Sequence, residues 1–176
     1  MKIFRCQICC EAYIGNSKPS HCPYCGAHDN FLILASEWKE ENIGLELSQN
    51  SKEYLQKALK LELDNAAFYK CISKTVTDPE ISGMFKFLGK VEAEHASVFK
   101  KMLGLKKIDV VETECFTDIK KDLEESSFRE NRAINFYREV VQKAPEKRIK
   151  TVFAALIQIE TDHFNLAQEK LKNVKE

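Results

Sequence analysis

The chain has 176 residues, of which 44% are hydrophobic, enough for one medium domain with a real core and a small second one. Lys+Arg and Asp+Glu both number 27, so the formal charge is zero, and with no long basic run neither nucleic acid nor anionic lipid is an expected partner. The start, Met1 to Cys6, has no apolar leader, and no segment approaches the roughly 18 consecutive apolar residues of a membrane helix, so no membrane association and a cytoplasmic protein are expected.

Residues 1–35 read as a small metal module. Cys6-Gln7-Ile8-Cys9 is followed, after twelve residues, by Cys22-Pro23-Tyr24-Cys25, and four thiolates so spaced can surround one ion tetrahedrally. In a reducing compartment such pairs signal metal rather than disulfides. So short a segment has little core, so bound metal would supply much of its folding free energy. Zinc and iron both accept this ligand set, and spacing does not separate them. Gly26, after the second pair, suits a turn whose amides point at sulfur; the equivalent residue after the first pair is Cys10, read as a tolerated small residue rather than a spare ligand or redox thiol. His21 and His28 lie in or beside the module, placed either to tune it or simply to face solvent. Residues 36–50, with Trp38, Glu40-Glu41 and Gly44, show no periodicity and read as a linker long enough to let the module pack on its own bundle or on a neighbour's.

From residue 51 the pattern turns helical, and residues 51–176 read as four helices. The first stripe is Leu55, Leu59, Glu62, Ala66 and Tyr69. Asp78-Pro79-Glu80 supplies an N-cap, a first-turn proline and a dipole-favoured acid for the second helix, whose stripe is Ile81, Phe85, Leu88, Glu92, His95, Phe99 and Met102. Residues 104–116 break the pattern. Twelve extended residues reach about 40 Å, the length of a 25-residue helix, so this segment can cross the whole bundle. The third helix, opening near Thr117-Asp118, carries Leu123, Glu130, Ile134, Tyr137 and Val141; the fourth opens at Pro145-Glu146 and carries Ile149, Phe153, Leu156, Glu160 and His163. Cys71 and Cys115 have no neighbours that would mark a nucleophile and read as buried or half-buried spectator thiols.

A shift of 68 residues superposes Glu92 on Glu160, His95 on His163, Glu62 on Glu130, Tyr69 on Tyr137, and Leu55, Phe85 and Leu88 on Leu123, Phe153 and Leu156. Core and ligand types repeat together, as expected of two copies of one helical hairpin facing each other. A Glu and a His three apart share a helix face. The repeat therefore delivers Glu62 and Glu130 from two helices and a Glu-x-x-His pair from each of the other two, the ligand set of di-iron and di-manganese bundles. Four inward carboxylates would cost several kcal/mol each uncompensated, and two divalent cations cancel that charge. Tyr69 and Tyr137, two turns after a ligand glutamate, are placed to hydrogen-bond a metal carboxylate of the facing helix, or to serve as core aromatics; their matched positions favour the former. Glu94 and Asp162 fall off the seam and are expected to be exposed.

On these residues the chain resembles the rubrerythrins. Cys6-x-x-Cys9 with Cys22-Pro23-x-Cys25-Gly26 is similar to the family's rubredoxin-like module, and residues 51–173 are similar to its ferritin-like di-iron module, in the order of the variants called reverse rubrerythrins. The implied fold is an all-α four-helix bundle with a long crossover between helices 2 and 3, preceded by a small rubredoxin-like β module. The family often carries an extra glutamate three residues after the third-helix ligand, which exchanges with histidine on redox change. Here that position is Ala133, and its repeat mate is Asn65, so the exchange is not carried over.

The resemblance implies a peroxidase linked to NADH through an external reductase, with two irons at Glu62, Glu92, His95, Glu130, Glu160 and His163. The implied partners are hydrogen peroxide and a rubredoxin-type or NAD(P)H-dependent electron donor. One iron at Cys6, Cys9, Cys22 and Cys25 would relay electrons; because the linker allows it, the relay is expected to work between subunits of a head-to-tail homodimer, with domain swapping as one form of it. Zinc at the cysteines would instead imply a ferroxidase, metal-binding or sensor protein with a structural ribbon.

Overall fold

The computed structural model describes residues 1–109 and 111–174. Strands β1 (Lys2–Cys6), β2 (Ala12–Gly15) and β3 (Leu32–Leu34) form an antiparallel sheet in the order β2-β1-β3, with Phe4 opposite Tyr13 on one side and Leu34 on the other. The four helices are α1 (Gln49–Thr75), α2 (Pro79–Met102), α3 (Ile119–Lys143) and α4 (Lys147–Asn173). The fold is a ferritin-like four-helix bundle preceded by a small rubredoxin-like β module.

Local chemistry sets the helix starts. The Ser48 hydroxyl accepts from the Ser51 amide, Asp78 from Ile81 with Pro79 in the first turn, and Asp118 from Lys120 and Lys121. The start of α4 is tied elsewhere: the Glu146 carboxylate accepts from the Ser48 amide at 2.6 Å and from the Ser51 hydroxyl, so the entry of α4 holds the entry of α1. Helices α1 and α2 pack as one hairpin and α3 and α4 as the other, with the crossover segment between α2 and α3 in sequence.

One continuous core joins module to bundle. Cys6, Ile8, Cys9, Cys22, Cys25, Ala27 and Leu32 pack in the same cluster as Leu55, Phe99, Tyr137, Phe153 and Ile159. A second cluster around Phe68, Ile72, Phe85 and Leu123 fills the opposite end. Within residues 36–50, read as a linker, Trp38 and Asn42 are held in place. Trp38 donates its indole N–H to the Cys6 carbonyl and lies under the Arg5 guanidinium, 3.5 Å from the ring centre. Asn42 is fully buried and donates to the Ile8 carbonyl at 2.8 Å, while Arg148 of α4 donates to Asn42 Oδ1, to Glu41 and to the Gln7 carbonyl. These are backbone and side-chain polar contacts with no periodicity, which is why the pattern of the segment does not announce them.

One expectation is corrected. Cys71 and Cys115 are not spectator thiols but a disulfide, with Cα atoms 5.8 Å apart across 44 residues of sequence. Cys71 lies in the penultimate turn of α1 and Cys115 in the crossover, and only the path of the crossover along the bundle brings them together.

Candidate metal centres

The module presents its four cysteines as two knuckles of the same shape. In each, the residue after the second cysteine sits at left-handed φ, 74° at Cys10 and 75° at Gly26, and its amide bonds back to the first cysteine's carbonyl. Cys6 Sγ is 3.7 Å from Cys25 Sγ and Cys9 Sγ is 3.7 Å from Cys22 Sγ, all four are buried, and the Ile8 amide donates to Cys6 Sγ at 3.3 Å. Four thiols this close do not ionise independently. Hydrogen bonds from Cys25, Cys6 and Cys9 hold the Cys22 thiol far below the ordinary range, while those of Cys22 and Cys25 push Cys9 far above it. A tetrahedral cation that takes all four as thiolates removes the conflict, and the donor set suits iron or zinc. Cys10 lies outside this cluster. Its thiol donates to Glu40 at 3.5 Å, and burial raises its pKa to about 11, so it remains a neutral thiol.

In the bundle the structure brings together Glu62, Glu92, His95, Glu130, Glu160 and His163, all buried. Two overlapping groups result: Glu62, Glu92, His95 and Glu160, then Glu92, Glu130, Glu160 and His163. Glu92 and Glu160 belong to both and lie between the two positions. His95 Nδ1 is 3.1 Å from Glu92 and 3.2 Å from Glu160, and His163 Nδ1 is 2.9 Å from Glu160 and 3.1 Å from Glu92. Both imidazoles therefore aim the same nitrogen inward.

The carboxylates are short of partners. Among the described residues Glu62 Oε2 and Glu130 Oε2 are buried without a hydrogen bond, and Glu92 Oε1 and Glu160 Oε1 have no partner beyond the histidine nitrogens already named. Native interiors rarely tolerate such oxygens. Burial, then the charges of Glu92 and Glu160, pushes the Glu62 and Glu130 carboxyls well above their usual range. Burial works the same way on Glu92, but hydrogen bonds from His163 and His95 outweigh it and hold that carboxyl low. Burial also opposes charge on both histidines, and the Glu160 and Glu92 carboxylates overcome it and raise them. Protons thus do part of the neutralising that two divalent cations would do, and the orphaned oxygens converge where such ions fit.

The tyrosines cross-link the halves. Tyr69 of α1 donates to Glu130 Oε1 of α3, and Tyr137 of α3 donates to Glu62 Oε1 of α1. Burial raises both phenols well above their ordinary value, so they stay donors. Ser126 donates to Tyr69 Oη at 3.1 Å, a contact the repeat could not show because its mate is Ala58. Asn65 and Ala133, the positions without the family's extra glutamate, are both buried, and Asn65 Oδ1 accepts from Arg129 at 3.4 Å.

Sequence reasoning missed how the two centres meet. His95 Nε2 lies 2.9 Å from the backbone carbonyl of Cys25. A carbonyl only accepts, so Nε2 carries a proton, and Nδ1 is the nitrogen that a metal ion among the carboxylates would take in place of its own proton. No signal in the sequence marks this, because the partner is a main-chain oxygen 70 residues away.

Comparison with known proteins agrees with this architecture. Residues 53–171 match the family described as rubrerythrin. The chain is also similar to reverse rubrerythrin-1 of Clostridium acetobutylicum, 29% identical over 137 residues that cover 72% of this chain and 75% of that protein.

Proposed function

The chain belongs to the rubrerythrin family, and on that premise we propose that it is a peroxide reductase that takes its electrons through the cysteine module. Two irons held by Glu62, Glu92, His95, Glu130, Glu160 and His163 would supply one electron each, so that hydrogen peroxide, two protons and two electrons give two waters. The observation that carries the reading is the single imidazole of His95, which faces the carboxylates through Nδ1 and the Cys25 carbonyl through Nε2. It makes a path of bonds and one hydrogen bond from a cysteine ligand to a bundle ligand, which a purely structural ribbon would not need.

The protein groups divide the remaining work. Glu92 and Glu160 lie between the two metal positions, and Tyr137 and Tyr69 hold the outer carboxylates Glu62 and Glu130 in orientation. Phe99, Phe153 and Tyr137, with ring centres 5.1–6.4 Å apart, help keep water out. Iron held by Cys6, Cys9, Cys22 and Cys25 would supply the relay for electrons from a rubredoxin-type or NAD(P)H-dependent donor; a cytoplasmic location belongs to the same reading. The Cys25–His95 contact forms within one chain, and a swapped homodimer would make the same contact between chains.

The test is direct. Reduced protein supplied with a rubredoxin-type donor should consume peroxide, and Glu130→Ala should lower the rate at least tenfold. Zinc rather than iron at the cysteines, or an unchanged rate in the variant, defeats the proposal.

A further inference from the structure

One cluster of metal-ligating side chains belongs to neither centre. His21 and His28 face each other across an isolated antiparallel bridge at the knuckle, their ring centres 4.7 Å apart. Asp162 stands opposite them on the outer side of α4, between the ligands Glu160 and His163 in sequence. His28 Nε2 is 2.6 Å from Asp162 Oδ2, and His21 Nε2 is 3.7 Å from the same oxygen. One ligand atom from each residue lies within 4.8 Å of the other two.

Docking by a hydrogen bond would need one histidine; the second is left over. At 3.7 Å His21 Nε2 is too far from Oδ2 for a hydrogen bond. The distance is near the separation of two ligands that each sit about 2.1 Å from a shared ion, which is roughly 3.0–3.4 Å. His21 is also oriented for it. Its Nδ1 pairs with Ser20 Oγ at 3.0 Å, which turns Nε2 toward Asp162, as a group behind a metal-bound histidine does. Two imidazoles and one carboxylate favour zinc and its transition-metal neighbours over magnesium or calcium. The side chains are 51%, 34% and 49% exposed, so water can complete the coordination.

We propose that His21, His28 and Asp162 form a third metal site, for a divalent transition ion such as zinc, that clamps the cysteine module onto α4. The two histidines flank the second knuckle, His21 immediately before Cys22 and His28 two residues after Gly26. An ion here spans the same junction as the Cys25–His95 contact and favours the docked module, because it binds only when the three ligands are assembled.

Equilibrium dialysis of the iron-loaded protein against zinc chloride tests this, with iron and zinc both counted afterwards. The expected result is one zinc per chain in excess of any iron displaced, with micromolar affinity. The double variant His21→Ala, His28→Ala should weaken that binding at least tenfold while the iron content of both other centres is unchanged. Asp162→Asn, which preserves size and so the fold, should do the same if the double variant does not fold. No excess zinc in the wild type, or excess zinc held as tightly by Asp162→Asn as by the wild type, overturns the proposal.

Discussion

The two halves of the duplication carry the same ligands in different surroundings. Helices α1 and α2 contribute Glu62, Glu92 and His95, and α3 and α4 contribute Glu130, Glu160 and His163, each pair of counterparts 68 residues apart. The environments behind the histidines differ. His95 Nε2 meets the Cys25 carbonyl, whereas His163 Nε2 faces Gly26, where an added Cβ would lie 3.9 Å from it. A duplication generates a near-symmetric site, but one module can dock on it only once. The asymmetry between the two histidines therefore comes from the module.

The strongest way to break that comparison removes a shared ligand. Glu160→Ala takes a carboxylate from both metal positions, whereas Glu62→Ala takes one from a single position. Loss of both bundle irons and at least a hundredfold fall in peroxide consumption are expected for Glu160→Ala, against a smaller loss for Glu62→Ala; metal analysis beside steady-state rates distinguishes them.

The halves also differ at the end away from the module, where only the first is cross-linked. Cys71 has Glu139 as its repeat mate, so α3 has no equivalent bridge. Replacing Cys71 and Cys115 by serine should lower the stability of the oxidised protein by about 2–4 kcal/mol, since the bridge closes a long loop. Thermal melts with and without reductant should show the wild type falling to the variant, with iron content unaffected.

The two knuckles sharpen the comparison on a smaller scale, because Cys10 and Gly26 share a backbone conformation but not a neighbour. At Gly26 a Cβ would meet Ile159 Cγ2 at 3.1 Å, on top of the left-handed φ. Gly26→Ala should cost roughly 1–2 kcal/mol and slow electron transfer from the cysteine iron to the bundle, seen by stopped-flow absorbance. Cys10→Gly relieves the same backbone cost while losing a buried thiol, and should stay within about 1 kcal/mol of the wild type.

An effect confined to neutral pH concerns Asp122, whose repeat mate is Tyr54. Asp122 Oδ1 accepts from the Phe116 amide while Oδ2 is buried without a partner among the described residues, and burial raises its pKa to about 6. The folded protein thus holds this proton more tightly than the unfolded chain does, so its contribution to stability is full at low pH and falls as pH rises from about 4 through about 6. Asp122→Asn should be more stable than the wild type by about 1–2 kcal/mol at neutral pH and equal to it near pH 4, as measured by urea unfolding.

The helices, their order, the six candidate ligands that meet in the bundle and the four clustered module cysteines were legible in the chain because each rests on short-range spacing. A Glu and a His three apart share a helix face, and Cys-x-x-Cys makes a knuckle, wherever the rest of the chain goes. The 68-residue repeat also paired the helices, because ligand and core residues recur in one register. What only the tertiary structure decided involves partners without a pattern. The Cys25 carbonyl on His95 is a main-chain atom, the Asn42 and Arg148 network that fastens the expected linker joins residues 106 apart, and the Cys71–Cys115 bridge depends on the route of the crossover. Periodicity reports which side of a helix is buried, but says nothing about what is buried against it. In this protein that second question decides how the cysteine module meets the duplicated carboxylate site.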